Sequence, residues 1–241
     1  SAASDVYKRQ VPEWKGDTIP YANANNGYNV ILCNVSNFYL DMCYNAHPME
    51  PGLTWGGYVD EYRSWDARPF DIYKSSFETI TGKPLDLEHI ADGKAQLNEE
   101  SRKRIKGVQG QLFSETIRNF DMVEYYVFPK IFGLMERGWN VDLLPGQSKA
   151  KYNRTLGSTC LPYLQREGFN FRIGMPGIKE ENGKLLMNCA YPEAEIRYTT
   201  DGSEPTEKSA LWTAPVKAKG KVVKAKMFYL GKQSQTTELY R

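Results

Sequence analysis

Two short apolar runs in this chain each lead into a carboxylate beside an aromatic ring, and that pairing constrains the fold more than any other feature. Tyr28-Asn29-Val30-Ile31-Leu32-Cys33 precedes Tyr39-Leu40-Asp41, and Ile105 to Leu112 precedes Phe113-Ser114-Glu115. A continuous apolar run of this length is what a strand buried on both faces requires, as in a parallel sheet. Parallel barrels set functional groups at the carboxyl ends of their strands. A ring there covers the apolar C–H face of a pyranose while a carboxylate accepts from its hydroxyls, so the pattern points to a sugar-facing site.

A helix follows the second run. Asn119 is a candidate N-cap, and Met122, Val123, Tyr126, Val127, Ile131, Leu134 and Met135 recur at three- and four-residue spacing, which predicts one apolar face lying on a sheet. Pro129 should kink or restart this helix. Gly138 is the expected left-handed cap after Arg137, with Trp139 folding back against the helix end. Strand and helix alternate, which predicts an α/β fold.

The pattern changes near Leu156-Gly157. Beyond it, strand-like runs at Phe169 to Ile173, Lys184 to Cys189, Glu195 to Thr199 and Val222 to Tyr229 are separated by turn residues. These predict a small β-sandwich, with Leu161 to Glu167 as its only helix. Asp201-Gly202 after a β-branched run signals a hairpin, and Asn182-Gly183 supplies another turn. The predicted division is therefore residues 1–156 and 157–241.

Composition excludes more than it assigns. Among 241 residues the net charge is +2, so nucleic acid is not implied as a partner, and Arg102-Lys103-Arg104 reads as a solvated helix end. No apolar run approaches the roughly 20 residues that a membrane-spanning helix needs. Cys33, Cys43, Cys160 and Cys189 form no CxxC pair, and His47 and His89 are the only histidines. This predicts no metal site, no cofactor and no Cys/His nucleophile. The 16 Tyr, 10 Phe and 5 Trp suit a carbohydrate-facing groove and equally suit a large core.

Four ordered segments carry a resemblance. Tyr39-Leu40-Asp41, Glu50-Pro51-Gly52-Leu53-Thr54-Trp55-Gly56-Gly57-Tyr58, Gly107 to Glu115 and Phe128 to Trp139 resemble the family 20 glycoside hydrolases, the β-N-acetylhexosaminidases, in the second half of their (β/α)8 catalytic barrel. Residues 157–241 are similar to the C-terminal β-sandwich of many bacterial members, including the Asp201 to Thr206 hairpin. The fold so implied is a partial (β/α)8 TIM barrel followed by a small sandwich.

The activity implied is retaining hydrolysis of terminal β-linked N-acetylglucosamine or N-acetylgalactosamine. The acetamido oxygen of the substrate attacks its own anomeric carbon, so the protein clamps the acetamide and protonates the leaving oxygen. By this resemblance Tyr39 donates its hydroxyl to the acetamide carbonyl. Asp41 accepts from hydroxyls toward C4 and C6, and Glu115 bonds the 4-hydroxyl. Trp14 and Phe113 wall the acetamide pocket, and Trp55 stands at its mouth. Phe113 occupies the place of a usual Trp, so an indole N–H donor is missing. Glu136-Arg137-Gly138-Trp139 lies at the wrong end of its helix for chemistry and reads as structural.

The acid/base pair of the family is an Asp-Glu on an earlier strand. Asp60-Glu61 has the wrong context and reads as a solvated surface pair. The expectation is that the acid lies outside this chain and that the fragment alone is inactive. Residues 1–10 read either as a leader of non-native origin or as an ordinary divergent N-terminus. N-acetylhexosamine glycans are the implied partners, and an extracytoplasmic bacterial location is implied by the same resemblance. The alternative is a non-catalytic carbohydrate-binding or interaction module.

Overall fold

The computed structural model describes residues 18–79, 82–142 and 147–241. Trp14 and residues 1–10 lie outside the described residues. Two compact units divide between residues 146 and 147, ahead of the composition change at Leu156-Gly157.

The first unit opens with α1 (Ile19–Asn25), β1 (Val30–Leu32) and the single-turn α2 (Val35–Phe38). Then come α3 (Glu61–Trp65), a 3-10 turn at Ile72–Ser75, α4 (Glu99–Arg102) and β2 (Ile105–Val108). It closes with α5 (Phe120–Val127) and α6 (Lys130–Trp139). The strands β1 and β2 pair in parallel, with Val30 beside Ile105 and Leu32 beside Val108. Parallel strands need a crossover, and the chain between these two supplies α2, α3 and α4.

The pairing outlasts the strands. After α2 diverts the chain, Leu40 N–H donates to Gln111 O at 2.8 Å and Gln111 N–H to Phe38 O at 2.8 Å, so Tyr39 runs beside Gln111. That renewed contact sets Tyr39-Leu40-Asp41 next to Phe113. Below it lie two apolar clusters, one of Tyr21, Val30, Leu32, Ile72 and Tyr73, the other of Cys33, Val35, Tyr39, Met42 and Val59.

Asn119 caps α5 as expected, its side-chain oxygen accepting from Met122 N–H at 2.9 Å, and the helix restarts at Pro129 as α6. The buried face of α6 differs from the predicted one. Lys130, Gly133 and Arg137 are buried, while Met135 is exposed. The cause is a close helix crossing: a Cβ on Gly133 would meet Trp65 N of α3 at 2.6 Å, so the glycine row faces inward and long cationic side chains flank it. Helix α6 also runs through Gly138, which has no left-handed φ, and Trp139 is 86 % exposed rather than folded back.

Asp60-Glu61 is not the solvated pair predicted. Asp60 caps α3, accepting from Tyr62 and Arg63 N–H at 3.0 and 3.1 Å, and Glu61 is buried. Lys103, by contrast, pairs with Glu100 on an exposed helix end as the basic run suggests.

The second unit begins with α7 (Lys149–Thr155), a π-helical turn at Leu156–Cys160 and α8 (Leu161–Arg166). Only α8 was predicted there; Ser148 caps α7, its hydroxyl accepting from Lys151 N–H at 3.2 Å. The predicted strand at Phe169 to Ile173 is irregular, though Phe171 and Ile173 are buried. Strands β3 (Gly177–Glu181), β4 (Lys184–Asn188), β5 (Glu195–Thr199), β6 (Ala210–Leu211), β7 (Val216–Lys217), β8 (Val222–Tyr229), β9 (Lys232–Gln233) and β10 (Thr237–Tyr240) follow. They form two antiparallel sheets, β3-β4-β7 and β10-β8-β5-β6, with β9 pairing β8. Leu185 and Met187 of the first sheet share a core with Ile196, Val223 and Ala225 of the second. That is a sandwich. Asn182 and Gly183, at φ 51° and 70°, close the β3–β4 turn that their types predict.

Candidate active-site rim

The geometry at the carboxyl ends of β1 and β2 follows from the renewed pairing at Tyr39. The Tyr39 ring is buried, with its centroid 5.0 Å from that of Phe113 and 6.0 Å, edge to face, from that of Trp55. Phe113 and Trp55 are 43 % and 44 % exposed, so Tyr39 forms the floor of an aromatic group whose other members face solvent. Trp55 owes its place to the preceding loop. Cys43 N–H donates to Leu53 O at 3.0 Å, and Gly52 at φ 119° lets the loop lie against the backbone of Asp41 and Cys43.

Asp41 is 6 % exposed, and one of its oxygens, Oδ2, accepts from Phe113 N–H at 2.5 Å and Ser114 N–H at 3.2 Å. Ser114 sits at φ 71°, a left-handed conformation uncommon outside glycine, and its amide is one that Asp41 holds. Ile117 N–H donates back to Ser114 O at 3.1 Å, closing a turn that carries Glu115 into solvent. Among the described residues neither Asp41 Oδ1 nor the Glu115 carboxylate has a hydrogen-bond partner. Both are carboxylate oxygens with acceptor capacity that no donor among the described residues uses.

Beneath the rim lies a cation that the sequence reading gave no role. Lys130, the first residue of α6, is fully buried, and its Nζ donates to Leu40 O and Met42 O, each at 2.7 Å. The ammonium sits 3.7 Å from the centroid of the Tyr44 ring. Tyr44 Oη is within 3.0 Å of both Tyr125 O and Phe128 O, and Tyr125 Oη donates to Glu50 Oε1 at 2.9 Å. Burial and the Glu50 charge push the Cys43 thiol pKa up, Lys130 opposing them, so Cys43 stays a thiol. A lysine beginning a helix usually reads as surface, and only its place inside the Phe128 to Trp139 segment singled it out.

The other end of α6 carries Arg137. It is buried and lines a cavity of about 320 Å³ with Arg68, Phe70, Asp71 and Arg102. The seven residue steps from Lys130 to Arg137 span roughly 10 Å of helix, so Arg137 stands apart from the rim, as its position in the segment predicts.

Residues 3–142 match the glycosyl hydrolase family 20 catalytic domain. The chain belongs to that family. Residues 176–238 match the chitobiase/beta-hexosaminidase C-terminal domain. The N,N'-diacetylchitobiase of Vibrio harveyi is 30 % identical over 210 residues, covering 78 % of this chain and 23 % of the relative. The beta-hexosaminidase of Vibrio vulnificus is 27 % identical over 223 residues, covering 78 % and 25 %. A mutant Streptomyces plicatus beta-hexosaminidase solved in complex with product (GlcNAc) superposes with a TM-score of 0.50 at 25 % identity, over 70 % of this chain and 29 % of that one.

This family 20 chain thus spans about a quarter of the length of the curated relatives it matches. Its parallel β1–β2 pair with the surrounding helices is part of a (β/α)8 barrel, and its two antiparallel sheets are the C-terminal sandwich. Among the described residues no helix is long and apolar enough to cross a membrane.

Proposed function

We propose that this family 20 chain supplies one side of the sugar pocket of a β-N-acetylhexosaminidase working by substrate-assisted, retaining hydrolysis. The observation that carries the reading is the convergence of Tyr39, Asp41 and Phe113, from segments about seventy positions apart, on one rim with open carboxylate acceptors.

In this reading the Tyr39 hydroxyl donates to the acetamide carbonyl oxygen, turning it toward the anomeric carbon and stabilising charge as the C–O bond of the cyclic intermediate forms. Asp41 Oδ1 accepts from hydroxyls toward C4 and C6, and Glu115 accepts from the 4-hydroxyl. Phe113 and Trp14 cover apolar faces of the acetamide, and Trp55 stacks on the leaving sugar. The general acid that protonates the leaving oxygen is the Glu of an Asp-Glu pair that residues 1–241 do not contain, and the Asp of that pair steadies the acetamide N–H. N-acetylhexosamine glycans are the substrates, and an extracytoplasmic bacterial location fits the bacterial relatives.

The test compares residues 1–241 with a longer polypeptide joining them to a strand that ends in Asp-Glu. The longer protein is expected to cleave a chromogenic N-acetyl-β-glucosaminide with retention of the β-anomer, as read by NMR of the first product, and to leave the matching β-glucoside nearly untouched. Residues 1–241 alone are expected to cleave neither. Turnover by the shorter chain, or inversion by the longer one, refutes the proposal.

A further inference from the structure

We propose that Lys130 is a positioning residue for the rim. Its buried ammonium fixes the main chain on both sides of Asp41 and, through the Asp41 carboxylate, the turn that presents Phe113 and Glu115. The inference rests on the sugar-pocket reading for its use, though not for its geometry.

Burying an ammonium is costly unless its donors are satisfied. Lys130 meets that cost with the carbonyls of Leu40 and Met42, both at 2.7 Å, and with the face of the Tyr44 ring. Leu40 O belongs to the peptide entering Asp41 and Met42 O to the peptide one residue beyond it, so the main chain is tied down on both sides of Asp41. With its backbone fixed, the Asp41 side chain is aimed at Phe113 N–H and Ser114 N–H. Ser114, left-handed at φ 71°, keeps that conformation while the carboxylate holds its amide. The relay therefore runs from α6 to residues 40 and 42, then to Asp41, then to the turn at residues 113–115. A methionine at 130 fills similar space but leaves both carbonyls without a donor, so the loss begins at the rim.

The test is amide hydrogen exchange by NMR on the 241-residue chain. In Lys130→Met the amides of Leu40, Phe113 and Ser114 are expected to exchange about tenfold faster than in the parent, while Val30 and Gln109, which hold β1 to β2, keep their rates. Lys130→Arg, which retains charge and two donors, should restore most of the rim protection. Equal acceleration at Val30 and Gln109, as a merely structural role would give, overturns the proposal, and so do unchanged rim amides.

If Lys130→Met does not fold, through-hydrogen-bond couplings from the ammonium nitrogen to the carbonyl carbons of Leu40 and Met42 in the parent chain decide the matter. Their presence supports the relay, and their absence overturns it. None of these readouts uses sugar. Selective loss of rim protection together with no glycosidase activity in the longer polypeptide supports Lys130 and overturns the sugar reading. Glycosidase activity with uniform exchange overturns Lys130 alone.

Discussion

Asp41 has one carboxylate oxygen occupied by two backbone amides and the other open, so the same side chain builds the rim and faces what lies above it. A small change in its backbone must move both functions. Gly52 makes that change available: at φ 119° an added Cβ would lie 2.9 Å from Asp41 O and 2.8 Å from Cys43 N. Gly52→Ala is therefore expected to destabilise the chain by about 1–3 kcal/mol, read as a lower urea midpoint. An unchanged midpoint contradicts the close approach. At this scale the motifs made Tyr39, Asp41, Phe113 and Glu115 legible because ring and acid types stand beside apolar runs. Glu61 and Lys130 were not legible, because a charged residue reads as solvent-facing until its partners, which lie far off in the chain, are seen.

Elements were legible where one local cause decides them. The Asn119 cap, the restart at Pro129 and the Asn182-Gly183 turn all follow from residue type. The face of α6 did not, since the crossing at Gly133 outweighs the apolar periodicity around it. The strand predicted at Phe169 to Ile173 failed for a related reason: Phe171 and Ile173 are buried, but the segment pairs with no strand among the described residues.

In β8 the alternation is clean, with Val223, Ala225 and Met227 inward and Lys224 outward between Glu204 at 2.7 Å and Glu238 at 2.8 Å. The bonds from Lys224 and Thr236 hold the Glu204 pKa down to about 2. A depressed carboxylate stabilises the fold above its unfolded pKa, near 4.5, and that contribution is lost as pH falls toward 2. Glu204 is half exposed, so screening keeps the effect below about 1 kcal/mol. The urea midpoints of the parent and Glu204→Gln should differ at about pH 6 and converge by about pH 2. A difference that stays constant across that range contradicts the clamp.

At the scale of the molecule, the order of an α/β part and then an all-β part was legible from the change of pattern. What covers each apolar face was less so. The added helix α7 carries no strong apolar period, and its cap at Ser148 is a single residue among many polar ones. If the rim serves a substrate that supplies its own nucleophile, Tyr39 is the residue on which that chemistry depends most.

The measurement that bears on it most directly is steady-state kinetics of Tyr39→Phe in the longer polypeptide, on a β-N-acetylglucosaminide and on the β-glucoside lacking the acetamide. Loss of the hydroxyl is expected to lower kcat by about 10²-fold or more for the acetamido substrate, with KM nearly unchanged and the residual glucoside rate little affected. Equal losses on both substrates, or a change confined to KM, contradict it.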